Sequence, residues 1–232
     1  MKRGLQHIEA ILAFLLFIGF LLAALFFFNP LDTRRVVDSS LFYTFDEIKE
    51  EASITLESYS ILIKSEIPQT VSIIIQTGFN SSIVEDISGN KVPAVYDEVT
   101  HQLTFDRLSI ENTFFMVKFS NEFPEENVNN LNDPLNPNNY TISSSGSREL
   151  ISENKILELN SSYYNDYEGL KKQFNLPGRV GFGFTLVFSR DDEIVSEINI
   201  PGGIEVFSES ERIDVLRKDG TLSKADLIVR VW

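Results

Sequence analysis

The residues able to do chemistry in this chain are few. It has no cysteine and two histidines, His7 and His101. Disulfides, thiolate zinc sites and cysteine nucleophiles are thereby excluded, and two histidines are too few for a histidine-rich metal centre. A Ser-His-Asp relay needs an imidazole within hydrogen-bond reach of both partners. His101, in Val99-Thr100-His101-Gln102-Leu103, is the only candidate, and in a turn between strand-like runs it is expected to be a surface histidine. Carboxylates cluster at Glu122/Glu125/Glu126 and at Asp191/Asp192/Glu193. Calcium takes such oxygens, but neither spacing is that of an EF-hand loop, so solvated faces or turns are expected. Gly181-Phe182-Gly183-Phe184 lacks the third glycine and the Lys-Ser/Thr of a phosphate loop, and its glycines are expected to admit neighbouring rings. No cofactor and no metal site follows, and the chain is expected not to be an enzyme.

Three Asn-x-Ser/Thr triplets begin at Asn80, Asn139 and Asn160, each in an expected loop or helix start. On an exposed surface they are candidate N-glycosylation acceptors. Net charge is −14 over 232 residues. Lys2, Arg3, Arg34 and Arg35 outweigh Glu9 and Asp32, so the acidity lies beyond residue 35. Such a surface repels phosphate backbones, which argues against nucleic-acid binding.

Ala10 to Phe28 is an unbroken apolar run, AILAFLLFIGFLLAALFFF, closed or kinked by Asn29-Pro30. As a helix it would rise about 28 Å, close to the roughly 30 Å of a bilayer core. Lys2 and Arg3 before the run favour a cytoplasmic N-terminus. No Ala-x-Ala pattern follows it, which argues against an ordinary cleaved secretory signal. Glu9 sits at the edge of this block, where an ionised carboxylate costs several kcal/mol unless it finds a partner.

Lys2-Arg3-Gly4, then Leu5-Gln6-His7-Ile8-Glu9, then the apolar run resembles the class III signal of type IV pilins, archaeal ones in particular. The resemblance implies cutting by a prepilin peptidase at the Gly4–Leu5 bond, with the apolar helix retained as an assembly stem. It also implies a pairing of Glu9 with the new α-amine of Leu5, in the same chain or a neighbour. The pattern departs from the commonest archaeal form in placing Leu5 before Gln6. A second, weaker likeness to archaeal pilin-like proteins lies in Tyr167-Glu168-Gly169-Leu170-Lys171-Lys172, Lys218-Asp219-Gly220-Thr221 and Val229-Arg230-Val231-Trp232.

Positioning these residues requires the following elements. Asp32 to Glu51 has helical spacing at Val36, Val37, Leu41, Phe45 and Ile48. Period-two or β-rich runs predict strands at 54–59, 60–64, 70–76, 91–96, 102–105 and 113–119. Asn121 to Gly146 holds eight Asn and three Pro and predicts an exposed loop. Beyond it, 149–159 is expected as strand and 161–174 as a helix capped by Asn160 or Ser161. Strands are expected at 180–188, 193–200, 212–217 and 225–232, the last two joined by a hairpin on Asp219-Gly220.

The expected fold class is α+β: a long N-terminal transmembrane helix, then a mainly antiparallel β ectodomain with one short helix. The expected division is a basic leader at 1–4, the transmembrane or assembly helix at 5–30, a helical stem at 31–52 and a β-rich domain at 53–232. The expected function is that of a pilin-like structural subunit or minor pilin of an archaeal type IV filament, with a role in adhesion. The alternative is an uncleaved single-pass membrane protein with an extracellular binding domain. The expected partners are the membrane, a prepilin peptidase, and other pilins or copies of itself, and the expected location is the cell membrane or a surface filament.

Overall fold

The computed structural model describes residues 2–27, 33–64, 70–107, 109, 111, 113–124, 133–200 and 202–232, with side chains of the first two helices described over 11–23 and from 39 onward. Leu41, Phe45, Ile48 and Ala52 recur at three- and four-residue spacing and make one buried face of helix α2 (Thr33–Ala52). Thr44 lies on the same face and returns its hydroxyl proton to Ser40 O at 2.6 Å. Helix α1 (Lys2–Phe27) precedes it.

The chain then runs through β1 (Ser53–Ile63), β2 (Thr70–Ile74), β3 (Ser82–Asp86), β4 (Lys91–Val92), β5 (Ala94–Asp97), β6 (Gln102–Asp106) and β7 (Phe114–Phe119). A 3₁₀ turn (Pro137–Asn139) leads into β8 (Tyr140–Ser152), followed by α3 (Glu153–Asn165) and α4 (Tyr167–Gln173). Strands β9 (Phe182–Ser189), β10 (Asp192–Ser196), β11 (Phe207–Leu216) and β12 (Leu222–Val231) complete it. Nine strands form one sheet in the order β10-β9-β12-β11-β8-β1-β7-β3-β4, and β2-β6-β5 form a second.

Two cores result. In one, α2, α3 and α4 cover β9, β11 and β12, enclosing Phe45, Ile48, Ile156, Tyr163, Phe174, Phe182 and Leu227. In the other, the small sheet packs on β1, β3 and β7 as a sandwich around Ile73, Phe105, Phe115, Val117 and Phe119. Leu56, Ile83, Phe123, Leu150 and Leu216 bridge them. Strands β1 and β8 are long enough to serve both, pairing antiparallel from Ser53↔Ile151 to Ile63↔Tyr140.

Several expectations are corrected. The fold is mostly β, with 44% strand and a nine-stranded sheet, rather than a transmembrane helix carrying an α+β ectodomain with one short helix. Among the described residues no helix is long and apolar enough to cross a membrane. This conflicts with the expected placement as a single-pass membrane protein held by an N-terminal transmembrane anchor. The Asn-rich stretch is not a loop throughout, because β8 starts at Tyr140. The strand expected at 149–159 is mostly helix α3, capped by Ser152, whose hydroxyl accepts from Lys155 N at 3.3 Å. The helix expected at 161–174 is split at Asp166, which ends α3 and caps α4 by accepting from Gly169 N at 3.0 Å.

Candidate functional site

Ten large apolar residues lie in the described part of α1: Ile11, Leu12, Phe14, Leu15, Leu16, Phe17, Ile18, Phe20, Leu21 and Leu22, and all are exposed. Leu16 is 67% exposed and Phe20 74%. They point in every direction around the axis, so the helix lacks the single buried stripe of a surface helix. Burying one such side chain is worth about 1.5–3 kcal/mol. The rod is therefore a surface that water disfavours by on the order of 10 kcal/mol. Gly4, Leu5 and Glu9 lie within α1, but their side chains, like those of Lys2 and Arg3, fall outside the described residues, as does Pro30. The expected pairing of Glu9 with the Leu5 amine is on that part of the chain.

The three acceptor asparagines differ. Asn80 is exposed ahead of β3, its backbone N–H donating to Asn121 Oδ1 at 3.0 Å. Asn139 ends the 3₁₀ turn before β8, and its carbonyl accepts from Lys64 N at 3.1 Å. Asn160 is neither in a loop nor a cap. It sits inside α3 and donates its amide to Val195 O at 2.7 Å and Ser196 Oγ at 2.8 Å. Attachment of a glycan would take one of the two N–H donors by which Asn160 ties α3 to β10.

His101 occupies the β5–β6 turn at φ 55°. Its Nδ1 lies 3.1 Å from the Tyr96 hydroxyl. That hydroxyl donates to Ile75 O at 3.0 Å, so the imidazole N–H is the donor between the two rings. Asp97, the nearby carboxylate, is held below its usual range by Thr100 Oγ1 at 2.7 Å and by Val99 N at 2.9 Å. The histidine thus closes a turn and braces Tyr96. Glu122 accepts from Ser152 Oγ at 3.0 Å and Asn154 Nδ2 at 3.1 Å, tying a distant turn to the start of α3; Glu125 and Glu126 lie outside the described residues. Asp192 pairs with Arg217 Nη1 at 2.8 Å. Among the described residues no group of three or more His, Asp or Glu is placed to hold a metal ion.

Gly181 leaves room for the Trp232 indole, whose Nε1 would lie 2.3 Å from an added Cβ, as the ring-admitting reading expects. Gly183 instead admits backbone, with Ser196 O at 2.8 Å. Around them stands an aromatic group that sequence reasoning missed. Tyr163 donates to Phe182 O at 2.7 Å and accepts from Ile198 N at 3.2 Å, edge-on to Tyr167 and Phe182. Burial pushes its phenol well above the ordinary tyrosine range, with smaller upward contributions from Tyr167, Tyr164 and Glu197. Burial raises Tyr167 as well. These rings lock α3 onto β9 and are structural. Their helical spacing, three and four residues apart, was the available signal.

Strands β8 and β11 run parallel but pair only at Val215↔Ile151 and Leu216↔Ser152. Above that junction they part, leaving a cleft of about 690 Å³ lined by Lys49, Glu149, Ile151, Glu211, Ile213 and Lys224. Four of its charged side chains form two pairs, Lys49 with Glu211 at 2.8 Å and Lys224 with Asp214 at 3.3 Å. Comparison of the chain with protein-family models, curated proteins and solved structures gave no match.

Proposed function

We propose that this chain is a pilin-like structural subunit that associates with other copies, or with related subunits, through α1. The observation that carries the reading is the exposure of every described side chain of that helix. An apolar rod of this kind reaches its lowest free energy packed against similar rods, which remove its surface from water on all sides. The β body, acidic and closed over its own two cores, would then stand on the outside of the assembly. The resemblance of Lys2 to Glu9 to a prepilin junction supports the same reading. Cutting at Gly4–Leu5 by a prepilin peptidase would free an α-amine for Glu9, and a desolvated pair of that kind is costly to break from one side.

Glu9→Ala tests this reading. The purified wild type should form assemblies visible by electron microscopy, with an N-terminal mass beginning at Leu5. Glu9→Ala should fold equally well by circular dichroism and fail to assemble. Wild-type protein that begins at Met1 or Lys2 and stays monomeric would overturn the proposal.

A further inference from the structure

Strand β8 is fifth of nine in the large sheet, yet most of it behaves as an edge. One side pairs with β1 along its whole length, and the other meets β11 only at Ile151 and Ser152. From Thr141 to Glu149 every residue is exposed, so the strand is covered on neither face. Among the described residues no strand pairs with its remaining edge from Thr141 to Leu150, and such an edge is a template for another strand.

Natural edges are usually blunted by lysine, inward charge or proline. Here Pro134 to Ser147 contains no charged residue, and Tyr140 to Ser147 reads Tyr-Thr-Ile-Ser-Ser-Ser-Gly-Ser. The one irregularity is a bulge in β8 itself, where Ser143 is the extra residue opposite Ser60/Ile61, and the pairing with β1 is regular from Ser144 to Ile151. Charge selects the partner. A chain of net charge −14 repels its own copies over most of its surface, and this neutral strand is a place where two copies meet without opposing carboxylates. Small side chains let two backbones approach to the 4.7–4.9 Å spacing of paired strands, and a strand facing itself about a two-fold axis is self-complementary.

We propose that the free edge of β8 pairs antiparallel with β8 of a second copy, continuing the sheet from one molecule into the next. This rests on the reading of the chain as a self-associating subunit, and it adds a contact distinct from α1. Serine and threonine facing each other across the new ladder supply cross-strand hydrogen bonds, while Arg148 and Glu149 fall at its ends.

The absence of cysteine makes the test clean. Thr141→Cys, Ser143→Cys, Ser145→Cys and Ser147→Cys are prepared singly in the full chain, with Thr100→Cys in the exposed β5–β6 turn as a control. Each is oxidised and run without reductant. A disulfide needs Cα atoms within about 7 Å, so cross-linked dimer should peak at one β8 position, fall on either side and be at least about tenfold weaker at Thr100→Cys. A second variant, Ser143→Lys with Ser145→Lys, should abolish the peak measured at Ser147→Cys or Thr141→Cys without changing the circular dichroism. Uniform yields, yields no greater than the control, or a peak that survives the two lysines would overturn the proposal. Failure of α1 association shows separately, because Leu16→Asp with Phe20→Asp leaves β8 unaltered and its cross-link can be scored in that background.

Discussion

Helices α1 and α2 follow one another in the chain and meet opposite conditions. In α2, Leu41, Phe45, Ile48 and Ala52 are buried against the sheet while Phe42, Tyr43, Asp46 and Glu50 face outward. In α1, no described side chain is covered. Helix α2 is held by the body of its own molecule. The surface of α1 is apolar enough to form a core and has no core in its own molecule to join. The contrast separates folding from assembly, and substitutions in the two helices should separate them too.

The largest effect is expected in α1. Leu16→Asp with Phe20→Asp should remove the association of copies that runs through α1, a change of several kcal/mol per contact, while the thermal midpoint of the β body stays where it was. Sedimentation velocity and a melting curve read the two quantities. Next, Ile48→Ala in α2 empties a fully buried site and should cost about 2–5 kcal/mol by chemical denaturation, with association altered only through the fraction folded. Equal effects of both substitutions on folding would erase the distinction between the helices.

Tyr163→Phe should cost less, about 1–3 kcal/mol, since it removes the bond to Phe182 O and leaves Ile198 N without its acceptor. It also has a pH signature. The folded chain keeps the Tyr163 proton where an unfolded chain, with a phenol near 10, releases it. That contribution is complete below about pH 10 and is lost as pH rises above it. Wild-type stability should therefore decline above about pH 10, and Tyr163→Phe should make the decline shallower. A parallel decline in both would assign it to other groups. The smallest effect is expected at Phe42→Ser, on the exposed face of α2, within about 0.5 kcal/mol of wild type. A larger loss would mean that this face too is covered when copies meet.

Helix α2 was legible because a three- and four-residue spacing is a local signal that its packing then confirms. The Asp219-Gly220 hairpin was legible for a similar reason. Gly220 takes φ 76°, which favours glycine, and an added Cβ would strike Ile83 Cδ1. Strand β8 was not legible. Its serines, glycine and neighbouring asparagines favour turns, and only its pairing with β1, many residues earlier in the chain, holds it extended. The start of α3 failed similarly. Ile151, Ile156 and Leu159 fit either period over so short a window, and Glu122, which accepts from Ser152 and Asn154, reaches that helix start from a remote turn. At the candidate site, the apolar block and Glu9 stood out at once, but a hydropathy run does not say whether lipid, its own fold or another copy covers it.

The most direct test measures the distance between α1 helices of neighbouring copies. Ile18→Cys gives the chain its only thiol for a spin label. Helices packed side by side have axes about 8–10 Å apart, so electron-spin distance measurements on assembled protein should show a short label-to-label population. That population should vanish when unlabelled chain is mixed in excess. Assemblies, or single molecules, in which the labels report no short distance would contradict the account.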